Sequence, residues 1–401
     1  MTLGLIIRRS LRQHALSSVV TALSIASAGG LLMSVWALKE QAREAFSGAD
    51  AGFDAVLGAR GSRLQLVLNA VFHVDESPGN VAWSDYLEIQ ADPSVQIAVP
   101  LATGDNYRGY RIVGVAPELF TQVEYVPGRR HRILPPGRGF DPTLREAVVG
   151  SFAAARLGLR LGDRFQPYHG LRFDERHIHE ESYVVVGILE PSNTPADRVI
   201  WIPLKGVQLM SGHSTDAAEE LSAVLVKLKS PMLGKSMEVR YNREGSRLTF
   251  AWPIAQIVAG FFERIVWFER VLAVVAYWVA LVAAGSVLAS IYNSMTERRR
   301  DIAILRALGA HRRTVFGIVV LEAASLAVAG MLAGFVVYAV IMTAAAQLIR
   351  SQTGVVLNPM AFHWVMIWAP LGMVSVSALA GVVPATKAYR TEVARHLTPL
   401  T

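Results

Sequence analysis

Few side chains in this sequence are placed to do chemistry. His177 and His179 stand two apart, with Asp174 and Glu175 before them and Glu180 and Glu181 after. Imidazole nitrogens and carboxylate oxygens are donors that suit Zn2+, so His177 and His179 are candidate metal ligands; a polar surface loop would read the same way. Glu322 is a carboxylate inside an otherwise uncharged apolar run, 315–349. A charge in hydrocarbon is costly, so Glu322 either positions helices by pairing with a neighbour or relays protons. Gly330 and Gly334 have the G-x-x-x-G spacing that lets two helices approach closely, within one chain or between two. Gly234-Lys235-Ser236 ends like a phosphate-cradling loop, but Lys229 occupies the place of the required first glycine and Pro231 interrupts. No nucleotide site is expected there. The chain has no G-x-S-x-G and no cysteine, which removes a nucleophile elbow, a thiolate metal site and a disulfide framework.

What must hold these residues is set by an apolar surplus. Of 401 residues 52% are hydrophobic and only 18% charged, against a net charge of +7. Soluble domains carry about a quarter charged residues, and disordered chains are poor in apolar ones. The surplus is concentrated in uncharged runs at 16–38, 271–293 and 362–386, and in 315–349 with its single Glu322. About 20 residues at a 1.5 Å rise cross the ~30 Å hydrocarbon core, so four transmembrane helices are expected. The first run is too long for the apolar core of a signal peptide and is read as retained.

Arginine and lysine placement orients the spans, because cytoplasmic flanks hold the positive excess. Segments 1–15, 294–314 and 387–401 together carry a formal +9, whereas 39–270 carries −2. Both termini and the 294–314 loop are expected in the cytoplasm, and the block between the first two spans outside. The basic balance therefore reports topology, and no nucleic-acid partner is expected. The organisation reads as 1–15 cytoplasmic amphipathic segment, 16–38 first span, and 39–262 external domain with stalks. Then come 263–293 stalk and second span, 294–314 cytoplasmic loop, 315–349 third span, 350–361 external loop, 362–386 fourth span and 387–401 cytoplasmic tail.

Within the cytoplasmic loop, Ile302, Leu305 and Leu308 recur at helical spacing and Gly309 stands where a left-handed cap is wanted. Arg298, Arg299 and Arg306 surround that apolar stripe. Such a helix either lies on anionic headgroups or docks a cytoplasmic partner. The external block reads as α+β, with strands expected at 95–101, 110–115, 182–189, 198–204 and 223–229. Ser151 is placed to cap a short helix running to the turn at Gly162-Asp163. Residues 254–293 read as one helix of about 40 residues, ~60 Å long.

The segment SMTERRRDIAILRALGAHRRTVFGIVVLEA at 294–323 resembles the hallmark of the FtsX-like ABC permeases of MacB type. IIRRSLRQHALSSVVTALSIA at the N-terminus, AVVGSFAAARLGLRLGDRF with YVVVGILEP and DRVIWIPL, and the ending VVPATKAYRTEVARHL are similar to other parts of the family. The tail departs from it at Thr391-Glu392-Val393, where an Asp-Pro pair is usual. The resemblance implies a membrane α-helical protein of four spans (1+3) with a MacB-like α+β periplasmic domain, in the bacterial inner membrane. It implies a non-catalytic subunit without cofactor of its own, ATP and Mg2+ being bound by a cytoplasmic ABC ATPase dimer. The 297–309 helix would be the coupling helix that receives the ATPase motion, and a second permease copy or homologue would complete the pair. A periplasmic adaptor, a lipoprotein or a substrate-binding protein is the implied external partner. Work on a periplasmic substrate by mechanotransmission is the function expected, with lipoprotein release or control of a cell-wall hydrolase as alternatives.

Overall fold

A computed structural model of the chain describes Arg9, Arg12, Gln13 and residues 15–47, 52–170, 178–211, 219–297, 311–353 and 356–390. The chain divides into two units. One comprises Met1–Ala42, Ile265–Gln347 and Asn358–Thr401; the other comprises Arg43–Arg264 and Leu348–Leu357.

The first unit is helical. Helix α1 spans Ala15–Ser47, α7 Ile254–Glu297, α8 Arg312–Thr353 and α9 Val365–Arg390. Each contains a stretch long and apolar enough to cross a membrane: Ala15–Gln41, Arg270–Asn293, Arg313–Arg350 and Val365–Thr386. In hydrocarbon every backbone N–H and C=O must be satisfied inside its own segment, which a helix achieves. The shared interior is built from Ile25, Ala28, Ala37, Ala283, Val287, Ala323, Ala327, Met331 and Met373.

The second unit is a mixed sheet of ten strands among the described residues, flanked by short helices. Its strands are β1 Ala55–Ala59, β2 Val95–Tyr107, β3 Tyr110–Val115, β4 Glu146–Val149, β5 Arg164–Phe165, β6 Tyr168–His169, β7 Tyr183–Ile188, β8 Ile200–Pro203, β9 Ala223–Leu228 and β10 Leu248–Ala251. They run in the order β10-β1-β9-β2-β3-β8-β4-β7-β5, and β6 pairs with β2. Side chains alternate between faces, so Val56, Val99, Leu101 and Val148 join one core layer while Ala55, Leu57, Ala98 and Val224 join another. Helices α2 (Arg63–Ala70), α3 (Trp83–Ala91), α4 (Ser151–Leu157), α5 (Leu204–Gln208) and α6 (Gly234–Tyr241) accompany the sheet. Apolar burial on both faces explains strands such as β4 and β8, in which every residue is buried.

Three details differ from the expectations. Strands β1, β4 and β10 are four- or five-residue runs that are almost wholly buried and lack alternation, and periodicity alone does not find them. Ser151 does not cap α4: Gly150 holds that place and Ser151 begins the helix. A Cβ on Gly150 would lie 2.4 Å from the Asp197 carbonyl oxygen, so glycine is there for close backbone approach. The helix also stops earlier, at Leu157, because Gly158 at φ 69° turns the chain left-handed.

Candidate functional site

In the external unit the chain gathers three metal-binding side chains from separate segments. Strand β2 bends at a bulge between Thr103 and Asp105 and continues to Tyr107, which places Asp105 opposite His169 of β6. His179 follows directly on Ile178, ten residues beyond His169. Its backbone N–H donates to the Pro167 carbonyl at 2.9 Å, and Ile178 bridges Tyr168. The ligand atoms of Asp105, His169 and His179 all lie within 4.8 Å of one another. His179 Nε2 is 3.1 Å and His169 Nδ1 3.5 Å from the same Asp105 oxygen, Oδ1. Asp105 is fully buried and His179 nearly so, whereas His169 is half exposed at 52%.

The surroundings hold this arrangement. The Ser211 carbonyl takes a hydrogen bond from His179 Nδ1 at 2.7 Å. Ser211 is in turn gripped by Glu181, whose carboxylate accepts from its N–H at 2.9 Å and from its hydroxyl at 2.8 Å. Burial works to raise the Glu181 carboxyl, but these bonds and the Arg145 charge outweigh it and keep the group below the usual range. Asn106, buried beside Asp105, donates to the Gly170 carbonyl at 2.8 Å, just past the end of β6. Tyr107 packs against Phe165 and Tyr168 at ring separations of 5.1 and 6.0 Å, an aromatic wall next to the cluster.

Among the described residues, the ligands gathered beside His179 come from β2 and β6 and not from its own sequence neighbours. His177 lies outside the described residues, and Glu181 serves Ser211 instead. Asp105 is the member that periodicity misses, because β2 was expected to end at Leu101. Aspartate is depleted in strands, so Asp105, four residues past that apolar run, reads as lying outside it. Two other described histidines of this unit pack against aromatic rings. His73 packs edge-on against Trp201, and burial followed by the Arg111 charge pulls it down to about 3. His131 stacks on Tyr125 at 4.6 Å, and burial pulls it down to about 4. Lys235 of the false phosphate loop pairs with Glu238 at 2.8 Å.

In the membrane unit Glu322 is buried on α8, where its carbonyl accepts from the Ser325 hydroxyl at 2.9 Å. Gly330 and Gly334 face α1 of the same chain. A Cβ on Gly330 would lie 2.7 Å from Ile25 Cβ, and one on Gly334 would lie 3.3 Å from the Ala26 carbonyl oxygen. Gly29 and Gly30 answer from α1, meeting Met331 and Val337. Each helix thus supplies small residues at the place where the other comes closest. The candidates expected in the cytoplasm, Arg298, Arg299, Ile302, Leu305, Arg306, Leu308 and Gly309, lie outside the described residues. On either side of them α7 ends at Glu297 and α8 begins at Arg312.

Comparison with known proteins covers most of the chain. A family model for the MacB-like periplasmic core domain matches residues 15–238, and one for the FtsX-like permease C-terminal region matches residues 273–393. The lipoprotein-releasing system transmembrane protein LolC of Neisseria meningitidis serogroup B is 25% identical over 264 residues, 62% of this chain. The match spans 60% of that relative's length. Among solved structures, the periplasmic region of MacB from Actinobacillus actinomycetemcomitans is 13% identical, with a TM-score of 0.35 over 54% of this chain and 94% of that one. The extracellular domain of the noncanonic ABC-type transporter YknZ from Gram-positive bacteria is 14% identical, with a TM-score of 0.31 over 49% of this chain and 98% of that one.

Proposed function

The chain belongs to the FtsX-like, MacB-type ABC transporter permeases, and on that premise we propose that it transmits ATP-driven motion from a cytoplasmic ATPase to its external unit. The observation that carries this reading is the continuity of α7. One helix of 44 residues, ~66 Å at 1.5 Å per residue, contributes Ile254 and Val258 to the external core. The same helix contributes Ala283, Val287 and Ile291 to the membrane core. It ends at Glu297, where the segment bearing Ile302, Leu305 and Leu308 begins. We assign that segment as the contact for the ATPase, with Arg298, Arg299 and Arg306 shared between the partner and lipid headgroups. ATP and Mg2+ bind to the ATPase pair, and this chain works beside a second permease copy or homologue. Both termini face the cytoplasm of a bacterial inner membrane, following the distribution of positive charge.

A second reading, release of lipoproteins from the membrane, is favoured by the likeness to the LolC protein of N. meningitidis. Affinity purification of the full chain from membranes tests both. An ABC ATPase in the eluate is expected in either case. An accompanying lipoprotein supports release, whereas an adaptor or outer-membrane channel supports export. Absence of any ATPase from a stable purified complex would contradict the proposal.

A further inference from the structure

The external unit also holds a cluster that the transport reading does not use. We propose that Asp105, His169 and His179 form a binding site for a first-row transition-metal ion, of which Zn2+ best suits the donors. The hydrogen-bond chemistry of His179 leads to this. A carbonyl oxygen only accepts, so the 2.7 Å contact with Ser211 requires His179 Nδ1 to carry the hydrogen. In the neutral ring Nε2 then presents a lone pair, and it faces a carboxylate oxygen 3.1 Å away. Two acceptors at that distance are held together by a cation between them, either a proton, which makes the ring an imidazolium, or a metal ion. His169 brings a third ligand atom to the same oxygen at 3.5 Å, so two imidazole nitrogens and a carboxylate oxygen converge on one point.

The distances suit a metal. Bonds of about 2.0–2.1 Å in a tetrahedral site put neighbouring ligand atoms roughly 3.3 Å apart, and the two observed separations straddle that value. A histidine ligand ordinarily donates its other ring N–H to a carbonyl or carboxylate, as His179 does to Ser211. Glu181 fixes Ser211 and the ladder pairing fixes Asp105 against His169, so the donors are held by backbone as well as side chains. Two nitrogens and one oxygen favour Zn2+ over Mg2+ or Ca2+, which take oxygen ligands. The half-exposed His169 marks the open side, leaving a fourth position for water or a group from a bound partner. A metal here would tie β2, β6 and the 178–181 segment together.

Tag-free full-length chain in detergent, stripped with chelator, is titrated with Zn2+ by calorimetry and with Co2+ by visible absorption. The expected result is one equivalent per chain and the ligand-field bands of tetrahedral Co2+. In His169→Ala, a change at a half-exposed side chain that leaves the fold intact, binding should weaken at least ~10-fold, since even outer partners of metal ligands contribute that much. Asp105→Asn, checked for folding by circular dichroism, should do the same. No binding to the unaltered chain, or binding unchanged in both His169→Ala and His179→Ala, would overturn the proposal. It would leave Asp105 and His179 as a proton-bridged pair. Neither readout depends on the ATPase.

Discussion

In the membrane unit many bulky apolar side chains face outward. Trp278, Leu281, Val336, Trp364, Trp368 and Leu379 are largely exposed, while alanines, methionines and the facing glycines of α1 and α8 share the interior with Ile25, Val287 and Ile291. In the external unit the order is reversed. Phe53, Leu57, Leu66, Ile112, Ile200 and Phe250 are fully buried, and arginines pair with acids at the rim, as Arg138 does with Glu146 at 2.5 Å. The same residue types take opposite positions because the surrounding solvent differs. Water drives large apolar groups inward, roughly 25 cal/mol per Å² removed from it. Lipid gives no such drive, so helices associate by close approach of small residues. Volume removed from the external core and volume added to the membrane interior should therefore be the damaging changes.

The largest effect should come from Phe250→Ala. This side chain is fully buried and stacks on Tyr241 at 5.8 Å. Its loss should destabilise the external unit by about 3–5 kcal/mol, read as earlier unfolding of the full chain in detergent. A stability close to that of the parent would mean that this core is loosely packed. Next is acid. His131 titrates at about 4 when folded and at 6.5 otherwise, so the native state holds it neutral. Its contribution is complete above pH 6.5 and disappears as pH falls toward 4, a difference of about 3 kcal/mol. His73, pulled to about 3, adds to the same slope. His131→Phe, which keeps the stacking on Tyr125, should flatten the decline between pH 6.5 and 4 in a thermal-unfolding series.

Gly330→Leu tests the other half of the contrast. It places a side chain against Ile25 and the Ala22 carbonyl and should cost roughly 1–3 kcal/mol. Gly285→Leu, at a position with nothing within 4 Å, is the control and should leave stability unchanged. Equal losses in both would remove the distinction between facing and open glycines. The smallest effect is expected for Glu322→Gln. A positioning role predicts unaltered pH dependence of ATP-driven activity, and a shifted pH profile would favour a proton relay instead.

The two units also differed in how far their sequences disclosed them. A membrane helix satisfies its own backbone, so the apolar runs at 271–293 and 362–386 pointed to α7 and α9 without reference to anything distant. Strand β4 needs β7 and β8 beside it, and residues 146–149 alone do not declare which partners complete them. The longer strands β2, β3 and β9 were legible from their β-branched runs, although β2 runs six residues past its expected end, through the bulge to Tyr107. At the metal cluster, His179 was visible as part of a His-x-His pattern. Its association with Asp105 and His169 depends on strand pairing across more than 60 positions, and no local spacing encodes that.

In the proposed mechanism, motion at the cytoplasmic loop reaches the external unit. Hydrogen exchange of the complex with its ATPase in nanodiscs, compared with and without trapped ATP, tests this most directly. The account predicts altered exchange in residues 254–264 and in the sheet of the external unit, and loss of that alteration in Leu305→Asp although the variant still inserts. Exchange changes confined to the ATPase and residues 294–314, with the external unit identical in both nucleotide states, would contradict it.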